Sequence, residues 1–132
     1  MATILQVTLD VTKSPPCLDV GQQNNANHIS SSPNVQTIKW QLIGDAAQGS
    51  FNSQTGSPPG FAWIGTAPKA SIFGTPQPGT TPNQLSITDM NNSVGTTGEW
   101  TYQLAATIGG VLYQSDEISP DGHTTNPTIK NT

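Results

Sequence analysis

Arginine is absent from this chain, and its four lysines, Lys13, Lys39, Lys69 and Lys130, are scattered. Nucleic-acid binding relies on clustered basic side chains that displace counterions from phosphates. Scattered lysines within a net charge of −4 speak against a nucleic-acid partner and against an anionic membrane surface. Charge of either sign is scarce: 9% of residues are charged, against about a quarter in ordinary soluble domains. Polarity comes instead from Thr, Ser, Asn and Gln, a composition suited to extracellular, virion or sugar-facing surfaces.

Cysteine occurs once, as Cys17, so no internal disulfide can staple the fold. No histidine or lysine adjoins Cys17 to activate it as a thiolate. Pro15, Pro16 and Leu18 place it where a strand meets a loop, and it reads as a buried or incidental thiol. No run approaches the roughly 18 to 20 apolar residues of a membrane-spanning helix. A signal peptide, with its basic start and apolar stretch, is not visible after Met1. The expected compartment is therefore open: cytoplasmic, or reached by a route not written at this end.

What is present is alternation. Leu5, Val7, Leu9 and Val11 alternate with Gln6, Thr8, Asp10 and Thr12, the period of a half-buried strand. Pro15-Pro16 ends it, since proline donates nothing to a ladder. Ile38, Trp40 and Leu42 share one face of a second strand over about 35–43. In the last third, Trp100, Tyr102, Leu104, Ala106 and Ile108 alternate with Glu99, Thr101, Gln103 and Thr107. Gly109-Gly110 then supplies a two-residue turn in which both positions can take positive φ, and 111–115 returns antiparallel. Between these, glycine and proline leave room for short strands over 61–64, 70–73 and 85–90, the last with Leu85 and Ile87 inward. A short edge strand over 127–131 closes the chain. The Gln-, Asn- and Ser-rich stretch 21–34 reads as a long exposed loop, mobile or functional.

No run of good helix formers is long enough for a helix. The 132 residues fit one domain, 1–132. An all-β, immunoglobulin-like antiparallel β-sandwich of about seven strands is expected, with Trp40 as the packing pivot; a closed barrel is the alternative. The Gly98-Glu99-Trp100-Thr101-Tyr102-Gln103-Leu104 segment resembles bacterial immunoglobulin-like modules. With Gly110, Tyr113, Ser115-Asp116 and the closing Pro127-Thr128-Ile129-Lys130-Asn131, it is similar to the small bacterial proteins of the DP-EP family. That resemblance covers about a third of the chain. It implies a stand-alone sandwich and transfers no functional residue.

A search for chemistry returns little. Only His28 and His123 can serve as imidazole bases, both in polar loops, and no G-x-S-x-G is present. The serines after His28, Ser30 to Ser32, are composition and not a triad signature. Asp116, Glu117, Asp121 and His123 form the densest polar cluster, the one candidate metal site, although their spacing fits no EF-hand and a solvated turn explains them. Asn91-Asn92-Ser93 is a formal glycosylation sequon. Trp63 is ambiguous: in Phe61-Ala62-Trp63-Ile64 it reads either as core or as a sugar-stacking platform with Asn52 and Gln54 as polar neighbours.

No catalytic residue and no cofactor emerge, and the chain is not expected to be an enzyme. It reads as a binding or interaction module for a protein or a glycan. A self-assembling structural subunit, hence a homo-oligomer, is the alternative, because low charge permits close packing. A small glycan-active enzyme comes last.

Overall fold

The computed structural model describes residues 2–115, 117–118 and 124–132. The chain is all-β, and eleven strands form two sheets packed face to face as a β-sandwich. In chain order they are β1 (Ala2–Asp10), β2 (Cys17–Val20), β3 (His28–Ile29), β4 (Gln36–Leu42), β5 (Ser50–Phe51), β6 (Phe61–Ile64), β7 (Gln77–Pro78), β8 (Gln84–Asp89), β9 (Gly98–Ile108) and β10 (Val111–Gln114). A two-stranded ribbon follows, β11 (Glu117–Ile118) with β12 (Thr124–Thr125), and β13 (Thr128–Asn131) completes the second sheet. Among the described residues the only helical segments are one-turn 3-10 pieces at Gln23–Asn25, Gly44–Ala46 and Val94–Thr96. None is long and apolar enough to cross a membrane.

The first sheet runs β2-β1-β4-β8-β7. The second is built around β9. Along one edge β9 pairs with β13 and then with β10; along the other it pairs with β6 and then with β5. Its eleven residues, which alternate from Glu99 to Leu104 before Ala105 and Ala106 are both buried, make β9 long enough to serve four partners. The hairpin turn takes the expected form, with Gly109 at φ 59° and Gly110 at φ 80°.

Both sheets are mixed where a wholly antiparallel pairing was expected. After β2 the chain crosses to the second sheet as β3 and returns as β4, which must then run parallel to β1. The crossing segment also makes β3 parallel to β13. The strand count exceeds seven because β2, β3, β5 and β7 are too short or too polar to show an alternating signal. In the other direction, the strand expected over 70–73 is a turn that touches β8 through a single Phe73–Asp89 bridge. The closing strand β13 is not an edge: it lies between β9 and β3.

The stretch 21–34 is anchored by the side chains that make it look like a loop. Gln22 Oε1 accepts from Thr128 N at 2.9 Å, and Asn27 Nδ2 donates to Thr128 O at 3.0 Å. Gly21 N donates to Gln6 O, and Lys130 N to Asn27 O. The amides thus take the place of a longer strand and dock the crossing on β13.

The core lies between the sheets. Leu5, Val7, Ile38, Trp40, Leu42, Leu85 and Ile87 enter it from the first sheet, and Phe61, Tyr102, Leu104, Ala106 and Ile129 from the second. Burying each large side chain is worth about 1.5–3 kcal/mol. A continuous run of rings crosses it. Trp40 meets Phe61 and Tyr102 at 5.3 and 5.2 Å, Phe61 meets Trp63 at 4.9 Å, Trp63 meets Phe73 at 4.9 Å, and Phe73 meets Trp100 at 5.3 Å. These spacings are those of favourable edge and tilted ring pairs.

Candidate functional site

A cleft of about 640 Å³ opens between the segment 51–55 and the segment 76–82, floored by Gln84 and Leu85 of β8. Its two walls are far apart in sequence and are tied by one backbone bond, Phe51 N to Pro82 O at 3.0 Å. On the far wall, Gln84 folds the 79–82 turn: its Oε1 accepts from Thr80 N and from the Thr80 hydroxyl, and its Nε2 donates to Gln41 Oε1 at 2.6 Å. Phe51, Pro76, Pro78, Pro82 and Leu85 give the cleft its apolar faces, and Ser53, Thr55, Thr80 and Thr81 bring hydroxyls to it.

Asn52 and Gln54, expected beside a sugar-stacking tryptophan, do line this cleft. Their amide groups are already engaged. Asn52 Nδ2 donates to Pro58 O at 3.1 Å and its Oδ1 accepts from the Thr107 hydroxyl at 3.0 Å. Gln54 Oε1 accepts from Phe61 N at 2.8 Å while its Nε2 donates to Phe61 O at 3.0 Å. That pair imitates a neighbouring strand at the start of β6. Trp63 is not brought together with them: it is half-buried in the interior ring cluster, against Phe61, Phe73 and Tyr102. It lines no wall of the cleft.

No side chain lining the cleft is ionisable. Its hydroxyls bond one another or amides: Ser53 with Thr55 at 2.8 Å, and Thr81 to Asn83 Oδ1. A surface of this kind can sort neutral ligands by shape, ring or proline stacking and a few hydroxyl contacts. The cluster Asp116, Glu117, Asp121 and His123 lies outside the described residues, apart from the backbone of Glu117 in β11. Among the described residues, no group of three or more His, Cys, Asp or Glu side chains is placed to hold a metal. His28 sits on β3, and Cys17 is buried at the start of β2.

A second polar assembly lies at the end of the sandwich where β8 meets β13, and the sequence reading passed over it. Asp89, Asn91 and Asn131 are all buried. Asn91 Nδ2 donates to Ile29 O at 2.8 Å and to Thr132 O at 3.2 Å, and the Thr96 hydroxyl stands 3.0 Å from its Oδ1. The first residue of the formal sequon is thus fully enclosed in the folded chain. Asn131 Nδ2 donates both to Asp89 Oδ1 and to Thr96 O, each at 2.9 Å. Burial raises the Asp89 carboxyl to about 6, and the Asn131 hydrogen bond works the other way. A signal for Asp89 was present: it continues the inward phase of Leu85 and Ile87 along β8.

No protein-family model matches the chain, and no curated protein resembles it in sequence.

Proposed function

We propose that the chain is a non-catalytic binding module that takes an uncharged ligand, a neutral glycan or a proline-rich peptide, in the cleft between 51–55 and 76–82. The observation that carries this reading is the lining itself: apolar faces from Phe51 and three prolines, hydroxyls at the rim, and no ionisable group. Acid–base and nucleophilic catalysis need a positioned proton carrier, which such a lining does not supply. Low overall charge fits a partner recognised by shape and apolar contact and not by electrostatic steering. The immunoglobulin-like reading of the sandwich rests on the Gly98–Leu104 segment within β9 and on Trp40 at the centre of the core.

The test is an amide-resonance titration with neutral oligosaccharides and proline-rich peptides. Shifts confined to 51–55 and 76–85, abolished in Thr80→Lys, are expected from one of the two classes. Unmoved resonances at millimolar ligand in both panels would remove the proposal. Self-assembly remains the second reading because β10, which among the described residues pairs only with β9, exposes Val111 at 51% and Leu112 at 44%. Apolar edges of this kind favour strand-to-strand association. Light scattering over a concentration series separates the readings: a monomer throughout supports the module, and a fixed large assembly supports the subunit.

A further inference from the structure

Asp89 of β8 belongs to the first sheet and Asn131 of β13 to the second, and each occupies the last inward position of its strand. The side chains meet through Asn131 Nδ2 and Asp89 Oδ1. The amide orientation is fixed by its surroundings, because Nδ2 serves two oxygens, Asp89 Oδ1 and Thr96 O. Flipping it would set Oδ1 against both of them. Two atoms are left over, Asp89 Oδ2 and Asn131 Oδ1, both buried and both without a partner. Each is an acceptor when the carboxyl is ionised. Two buried acceptors on side chains already joined by one hydrogen bond, with one missing donor, call for a single proton, since an unmet buried oxygen is costly.

We propose that Asp89 and Asn131 form a proton-closed latch between the two sheets, in which the protonated Asp89 Oδ2 donates to Asn131 Oδ1 while Asp89 Oδ1 accepts from Asn131 Nδ2. The proton is taken from solvent, and no bond between heavy atoms changes. The pair becomes a cyclic acid–amide dimer with every atom satisfied.

The charged groups on the elements packed around it are Lys39 of β4, Lys69 before the Ile72–Phe73 turn, Lys130 of β13, Glu99 of β9 and His28 of β3. None of them bonds to Asp89; Lys130 and Glu99 are exposed, with Lys130 on the opposite face of β13 from Asn131. The raised carboxyl, about 6 against 3.8 for a free aspartate, follows from burial and holds the proton into the mildly acidic range. The folded chain therefore binds more protons than the unfolded chain between those two values. The latch is fully closed below the lower one and is lost as pH rises through the upper one. Opening leaves a buried carboxylate beside an amide oxygen and loosens the hold of β13 and the Val94–Thr96 turn on β8.

The first experiment is a carbon-detected titration of the Asp89 carboxyl in the wild-type chain between pH 3 and 8. A midpoint near 6 is expected, with the Asn131 side-chain amide following the same midpoint. A midpoint at or below about 4, or an Asn131 amide that ignores it, overturns the proposal. The second is denaturation of wild type and Asp89→Asn across the same range. The amide of D89N supplies the missing donor without titrating, so its stability should lack this pH component. The wild-type folding constant should fall relative to D89N by on the order of a hundredfold from pH 4 to 7.5. If D89N does not fold, the wild-type titration decides alone. Calcium or sodium chloride at pH 7.5 supplies a cation instead of a proton. Stabilisation of wild type but not of D89N by either salt would assign the two oxygens to a metal and overturn the latch.

Discussion

Trp40 Nε1 donates to the Tyr102 hydroxyl at 2.9 Å across the two sheets, and neither side chain has any exposed surface. The bond joins the central strand of one sheet, β4, to the central strand of the other, β9. It satisfies the one polar atom of the largest ring in the core, and the rings themselves meet edge-on at 5.2 Å. Burial pushes the Tyr102 hydroxyl well above the usual tyrosine range, which favours its protonated form. With Cys17 the one cysteine, the two sheets are joined at this point by a hydrogen bond between aromatics.

Tyr102→Phe is expected to destabilise the chain by about 1–3 kcal/mol, because it leaves the Trp40 indole N–H buried with no acceptor. Urea denaturation followed by tryptophan fluorescence measures it. Trp40→Phe combined with Tyr102→Phe removes the stranded donor, at the expense of packing volume. A double-mutant cycle should therefore show a coupling of about 1 kcal/mol between the two positions. Strict additivity would mean that the bond contributes nothing.

Asn91→Asp keeps the shape of the side chain and removes both of its donors. A carboxylate would then face Ile29 O and Thr132 O in a fully buried site. The expected loss is about 3 kcal/mol or more at pH 7, partly restored on acidification as the new carboxyl takes up a proton. Thermal melts at pH 5 and pH 7.5 read this directly. A variant as stable as wild type at both would show that the three-way junction of β3, the chain end and Val94–Thr96 does not depend on Asn91.

The contrast between what alternation reveals and what it hides is concrete. β1, β4 and β9 were legible because their inward residues are mostly large and apolar and their outward ones mostly polar; β10, which exposes Val111 and Leu112, was legible from the Gly109-Gly110 turn that precedes it. β2 was hidden by the adjacent Pro15-Pro16, and β3 by the amides that dock it. Trp63 escaped the pattern because all four residues of β6 are apolar, so period two carries no phase. Asp89 and Asn131 were missed for the opposite reason: a polar residue is read as outward even where the strand's own phase points it inward; Asn91, in the loop after β8, had no phase to be read from. The cleft had no local signature at all. Its walls, 51–55 and 76–82, become neighbours only when β5 and β8 take their places in different sheets.

Gly60→Ala tests whether that cleft depends on a close backbone approach. A Cβ at Gly60 would lie 2.2 Å from Asn52 O, and the clash is with main chain that has no rotamer to yield. Asn52 N is itself bonded to Ala105 O at 3.0 Å, and Ala105 N to Gly60 O at 3.0 Å, so neither strand can move without breaking its bond to β9. A cost of about 1–3 kcal/mol or more is expected, together with shifted amide resonances throughout 51–55. Gly110→Ala is the control. It has φ +80° and nothing within 4 Å of the added carbon, so it meets backbone strain alone, about 1–2 kcal/mol, and should leave 51–55 unperturbed. Gly60→Ala with no effect on 51–55 would show that the segment holds its place independently of Gly60, through the pairing of β5 with β9 and the Phe51 N to Pro82 O bond.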